Sequence, residues 1–207
     1  HIGLALVPSD LDRLQSIEWT PFRSAIAAGV DSIMTAHVAV PRVIGEPRLP
    51  ATLSPKMLKD LLRGSLGFRG LVVTDALEMG AIANRYWAGA AAVRAIQAGA
   101  DVVLLPADAA AAIREVELAV RRGDIPASRI EESARRILRA KRRLGLHQRR
   151  TVPVNRLASV VASPENERCA RDIAERSVTV LKNEGSVLPL NPAEYPKVFS
   201  LAMTPDL

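Results

Sequence analysis

The chain has 207 residues, is 48% hydrophobic and 24% charged, carries a formal net charge of +6 and has a single cysteine, Cys169. That apolar content with moderate charge excludes a disordered polyelectrolyte, and one cysteine excludes an internal disulfide framework. No window reaches the roughly 18 consecutive apolar residues of a transmembrane helix, and no Cys/His group has zinc-ligand spacing. Neither a membrane span nor a structural metal is expected. The chain opens on His1, with neither an initiator methionine nor a signal-peptide pattern, so cytoplasmic and exported locations both stay open.

In chain order, SDLDRLQSIEWTPFRSAIAAG begins with Ser9 as the expected N-cap. Phe22 and Ile26 lie on one helical face, Gly29 closes the segment, and Pro21 starts a second helical piece. A short strand is expected at 31–37 (DSIMTAH), then a Pro- and Gly-bearing loop from Val38 to Leu53. SPKMLKDLLRGSLG follows as a helix with Ser54 as N-cap and Pro55 in the first turn. Its Met57, Leu58, Leu61 and Leu62 share one face.

GLVVTDALEM brings an apolar run, Leu71 to Val73, that ends in Asp75. Burying an ionised acid costs several kcal/mol unless it is paired or put to use, so a carboxylate at a strand's exit needs a reason. GAAAVRAIQAG then reads as helix, ADVVLLP as strand and DAAAAIREVELAVRRG as helix. Alternating strands and helices argue for parallel strands joined by crossovers, buried on both faces and therefore continuously apolar. A repeat strengthens this reading: AAGVDSIM at 27–34 and QAGADVVL at 97–104 share a helix end, Ala-Gly, an Asp and an apolar strand. Three such units are too few to close a barrel and would leave open sheet edges.

The basic run RIEESARRILRAKRRLGLHQRR at 129–150 carries nine Lys and Arg against Glu131 and Glu132. One reading is a phosphate-contacting surface. The other is a helix over 128–143 with Ile130, Ala134, Ile137, Leu138 and Leu144 in a buried stripe, and Arg136, Arg139, Lys141 and Arg143 on the wet face. Aromatics at 3% weaken any base-stacking role, and no nucleic-acid partner is expected. Residues 147–175 read as a linker running into a helix near 164–175. A strand at 177–182 and a turn at Asn183-Glu184-Gly185 then begin another domain over 176–207.

In parallel α/β scaffolds functional groups gather at the C-terminal ends of strands. That selects His37, Asp75 and the loop after Leu105-Pro106. His37 could equally hydrogen-bond a neighbouring loop, and Asp75 could cap the next turn.

GFRGLVVTDALEMGAIA resembles the nucleophile segment of glycoside hydrolase family 3, nearest its β-N-acetylhexosaminidases. PFRSAIAAGVDSIMTAHVAVP, PATLSPKMLKDLLRGSLGF, AIQAGADVVLLP and AERSVTVLKNEGSVLPL match further family segments in order. The resemblance implies an α/β fold: the last three βα units of a (β/α)8 TIM barrel over 1–146, followed by the start of an α/β sandwich domain. It implies retaining hydrolysis of a terminal β-linked N-acetylglucosamine, without a cofactor, with Asp75 as attacking carboxylate. His1 falls where the subgroup's acid/base histidine stands, in an Asp-Ser-His-like motif whose first two residues would precede residue 1. An imidazole suits that role because it can donate a proton and then take one back.

Met79 matches a residue of the sugar pocket, and packing under the loop is its other reading. His37 aligns with a barrel-mouth histidine and is carried as a sugar-binding candidate. Glu78 reads as a solvated carboxylate and His147 as an exposed linker residue. The family's Lys-His-Phe-Pro-Gly segment does not occur in the sequence. Alternatives are a β-glucosidase or β-xylosidase of the same family, a phosphorylase using the same nucleophile, or a non-catalytic carbohydrate-binding remnant.

Overall fold

The computed structural model describes residues 3–186, 188–194 and 196–197. It is a helix-rich mixture of α and β structure with short strands: β1 (Ala5–Leu6), β2 (Ser32–Met34), β3 (Val38–Ala39) and β4 (Leu71–Val73). β1 pairs in parallel with β3, and β2 in parallel with β4, with Ile33 opposite Val72. Two compact units divide the chain, residues 1–150 and 151–207.

The two repeats end their helices in the same way. Gly29 has φ 82° and Gly99 φ 125°, a region open to glycine because it lacks a Cβ. Around the first, Gly29 N donates to Ile26 O and Val30 N to Ala25 O; around the second, Gly99 N donates to Ile96 O and Ala100 N to Ala95 O. This crossed pair of bonds satisfies the last carbonyls and turns the chain into the following strand.

The third expected strand is only partly formed. Residues 100–105 run beside β4, but only Val102 pairs with it, opposite Val73. The ladder breaks for a chemical reason: Asp101 N and Val102 N both donate to Val72 O, and Leu104 N donates to the Thr74 hydroxyl at 2.9 Å rather than to a main-chain carbonyl.

Asp10, not Ser9, caps the first helix, its Oδ1 accepting from Arg13 N at 2.9 Å. A carboxylate there also complements the positive end of the helix. Thr20–Ala27 is the second helical piece, with Pro21 in its first turn. The 38–53 stretch holds more structure than a loop: β3, a helix at Pro41–Ile44 and a single turn at Ala51–Leu53. The helix Lys56–Ser65 is wound widely, with i→i+5 bonds such as Leu66 N to Leu61 O. Its Leu58 and Leu61 are buried, and Met57 and Leu62 pack against the core at its edge.

Phe68, Val72, Leu77 and Ile82 form the centre of the main core, covered by the alanine face of the helix Ala88–Ala98. That helix lies close against Ala109–Arg122. A Cβ on Gly89 would come within 2.8 Å of the Glu115 Cβ, so only glycine fits this crossing. Asp108 caps the second helix, accepting from Ala111 N at 2.9 Å.

The helix Ala127–Arg143 overturns the expected stripe. Of its members, Ile130 and Ile137 are half-buried, but Leu138 and Leu144 are 63% and 68% exposed and Ala134 is exposed, whereas Ser133 is buried and Arg129 and Arg136 point inward. Their target is Asp101, whose side chain is fully buried. Its Oδ2 accepts from Arg63 Nη2 at 2.6 Å and Val72 N at 3.0 Å; its Oδ1 accepts from Ser133 at 2.7 Å, Arg136 at 2.9 Å and Arg129 at 3.5 Å. Burial alone would raise the Asp101 carboxyl, but the bonds from Val72, Ser133 and Arg136, with the charge of Arg63, hold it below the ordinary carboxylate range. Arg63 is lowered by burial, against the pull of Asp101. The other repeat's aspartate, Asp31, pairs with Arg143. A stripe chosen by hydrophobicity misses this face because its inward contacts to Asp101 are made by Arg129, Ser133 and Arg136.

In the second unit a turn at Val154–Arg156 and a short helix at Leu157–Val160 lead to the helix Pro164–Ser177. Ser163 caps that helix, and Cys169 is exposed on it. The expected strand at 177–182 does not form among the described residues, and Leu181 is 93% exposed. A strand's amides and carbonyls need a neighbouring strand, and no described segment of this unit supplies one. The turn is present: Gly185 has φ 73°, and the Asn183 amide bonds both Leu188 O and Leu188 N at 3.0 Å. No helix among the described residues is long and apolar enough to cross a membrane.

Candidate active site

β4 delivers its C-terminal end to a loop fixed almost entirely by main-chain bonds. Thr74 is fully buried; its N–H donates to Val102 O at 3.0 Å and its hydroxyl accepts from Leu104 N. Leu77 N donates to Leu104 O at 3.0 Å, and Glu78 N to Leu105 O at 2.9 Å. Leu105 lies at φ 41°, a costly conformation for a side-chain-bearing residue, held by the loop that uses its carbonyl.

Asp75 sits half-buried on this platform. Among the described residues it receives one hydrogen bond, from Ala76 N to Oδ1 at 2.8 Å. Most of its lone pairs therefore remain available. Met79, half-buried, opens the short helix Gly80–Ala83 and donates through its N–H to Ala76 O at 3.1 Å. Glu78 and His147 are exposed.

His37 is only 6% exposed, and both ring nitrogens are engaged inside the protein. Nε2 lies 2.9 Å from Ala76 O, and Nδ1 lies 2.8 Å from the Thr52 hydroxyl. A carbonyl only accepts, which assigns a hydrogen to Nε2; the Nδ1 contact meets a Thr52 hydroxyl whose one hydrogen is directed at Ala36 O. Thr52 is also 2.9 Å from the Thr35 hydroxyl and 3.1 Å from Ala36 O. His37 thus comes together with the Asp75 loop, but with no nitrogen left for a sugar hydroxyl. His1 lies outside the described residues.

Thr35, Thr52 and Thr74 have parts in this site that sequence reasoning passed over. One signal was present: SIMT and LVVT place a threonine at the same step, straight after paired strands. A groove of about 840 Å³ between the helices Ala88–Ala98, Ala109–Arg122 and Ala127–Arg143 is lined largely by apolar residues such as Ile96, Val103, Ile113 and Val120. It offers little to read sugar hydroxyls, and Asp75 is not among its lining residues.

An α/β protein with a lightly bonded carboxylate at the exit of a parallel strand is the class that these features define. The model of the glycosyl hydrolase family 3 N-terminal domain matches residues 1–140, and the chain belongs to that family. It is 36% identical over 185 residues to a β-N-acetylglucosaminidase/β-glucosidase from Cellulomonas fimi, covering 86% of this chain and 33% of that protein. The solved structure of a family 3 β-N-acetylglucosaminidase from Paenibacillus sp. str. FPU-7 is similar with a TM-score of 0.79 at 41% identity, over 88% of this chain and 35% of that one. A β-glucoside phosphorylase, BglX, is similar with a TM-score of 0.83 at 25% identity, over 93% and 36%. The chain spans about a third of the length of these proteins.

Proposed function

We propose that the protein carrying this chain is a retaining β-N-acetylglucosaminidase with Asp75 as its nucleophile. The observation that carries the reading is the contrast between a loop held by many main-chain bonds and the one hydrogen bond that its carboxylate receives among the described residues. In this reading residues 1–146 form the last three βα units of a (β/α)8 barrel, 147–175 connect, and 176–207 begin an α/β sandwich domain. The names of the similar β-N-acetylglucosaminidases support the substrate class.

Asp75 attacks the anomeric carbon as the glycosidic bond breaks, while a histidine at position 1 gives its proton to the departing oxygen. A glycosyl ester with Asp75 results. The same histidine then takes a proton from water as that water attacks the anomeric carbon and releases Asp75, and two inversions leave the configuration unchanged. Met79 is assigned to the sugar's ring. His37 enters through the loop it holds, since both its nitrogens already serve the protein.

The test is to incubate the full-length protein with a slow fluorinated glycoside and digest it. A label on Asp75 is expected; labelling elsewhere, or none, refutes the assignment. Hydrolysis of aryl N-acetyl-β-glucosaminide compared with aryl β-glucoside separates the main reading from a β-glucosidase. The similarity to BglX favours one second reading, phosphorolysis, in which phosphate replaces water in the second step. Phosphate-dependent formation of a sugar 1-phosphate would establish it.

A further inference from the structure

The peptide joining Ala76 to Leu77 is held from three directions. Its carbonyl accepts from Met79 N at 3.1 Å and from His37 Nε2 at 2.9 Å, and its N–H donates to Leu104 O at 3.0 Å. The Met79 bond is a local turn, and the Leu104 bond comes from the segment on the 102–105 side of β4. The His37 bond reaches the same peptide from the exit of β2, on the opposite side of β4. One residue earlier, Ala76 N–H is the group that holds Asp75 Oδ1. The ring that grips Ala76 O is itself gripped by Thr52, which Thr35 and Ala36 O engage in turn.

We propose that His37 is a positioning residue for Asp75: by fixing the Ala76 peptide it sets the direction in which the carboxylate faces the anomeric carbon. This rests on the reading of Asp75 as nucleophile. An apolar side chain would fill so buried a position without needing a polar partner. Here a chain of buried polar groups, each of which must be satisfied, runs from Thr35 through Thr52 and His37 to the nucleophile's loop. Its consequence is rigidity at Ala76, and displacement of a reacting group by about 1 Å can cost on the order of a hundredfold in rate.

Two substitutions separate the two faces of the ring. His37→Asn keeps a group near the Nδ1 position, for Thr52, but does not reach Ala76 O. His37→Gln reaches Ala76 O with its amide N–H. Steady-state kinetics of the full-length protein on an aryl N-acetyl-β-glucosaminide, alongside thermal unfolding, give the readout. His37→Asn should lower kcat by about ten- to a hundredfold with KM within about twofold, and His37→Gln should recover most of the loss. Unchanged kcat in His37→Asn, a loss carried by KM instead, or no recovery in His37→Gln overturns the proposal.

If His37→Asn fails to fold, Thr52→Val decides. A lowered kcat at constant KM supports positioning, and wild-type turnover overturns it. Asp75→Ala is measured in parallel. If that variant is active, the nucleophile assignment fails with everything built on it; if it is inactive while His37→Asn is unaffected, only the positioning role fails.

Discussion

The two ends of β4 each meet an aspartate, and the two are treated in opposite ways. At the entrance, Asp101 is wholly buried and takes bonds from Arg63, Arg129, Arg136, Ser133 and Val72 N. At the exit, Asp75 is half-buried and, among the described residues, takes one bond, from the next residue's N–H. A carboxylate whose lone pairs are filled by fixed donors can only hold structure together. One with lone pairs to spare, on a backbone that cannot move away, can attack. The same strand meets both, one at each end.

Exchanging the roles is the strongest way to break this comparison. Asp75→Ala in the full-length protein should lower turnover by orders of magnitude while the unfolding midpoint stays near wild type; retained activity would end the nucleophile assignment. Asp101→Asn should do the reverse, costing about 3 kcal/mol in denaturant unfolding because three guanidinium groups lose their anion. Its turnover per folded molecule should stay close to wild type.

The pH dependence sharpens the contrast. Asp101 is held below its unfolded value, so its contribution to stability is fully present above about pH 4 and is lost as pH falls through the lowered folded value. Unfolding free energy against pH should fall steeply in that acid window for wild type and less steeply for Asp101→Asn. Equal slopes would remove Asp101 from the account.

Arg63→Lys should cost about 1–2 kcal/mol, since Arg63 also donates to Phe68 O and Gly70 O in the segment entering β4, which a single ammonium cannot reproduce. The smallest effect is expected within the basic run. Arg136→Ala should lower the unfolding midpoint, and Arg135→Ala, 71% exposed beside Glu131, should leave it unmoved. Equal effects would show that the run acts through its total charge.

The βα alternation was legible because it depends on local signals: apolar runs, a glycine where φ must be positive, and capping residues. The place of Asp75 at the exit of a strand was legible from the apolar run before it. Other assignments misled for definite reasons. Ser9 and Asp10 are both good caps, and the neighbouring helix dipole favours the charged one. ADVVLLP has the composition of a strand, yet Thr74 takes the amide that would have continued the ladder. Ile130, Ala134, Ile137, Leu138 and Leu144 have the apolar character of a buried stripe, but Arg129, Ser133 and Arg136 on another face find Asp101.

By itself the sequence determined the order of elements, the membership of a glycosidase family and the carboxylate on which catalysis is proposed to turn, because each is written in contiguous residues. Only the tertiary structure decided which aspartate is saturated and which takes one bond among the described residues, and that His37 faces Ala76 rather than open solvent. Those outcomes depend on donors brought from residues 15 to 39 positions away, and a hydrogen bond has no sequence signature until the fold has closed the distance.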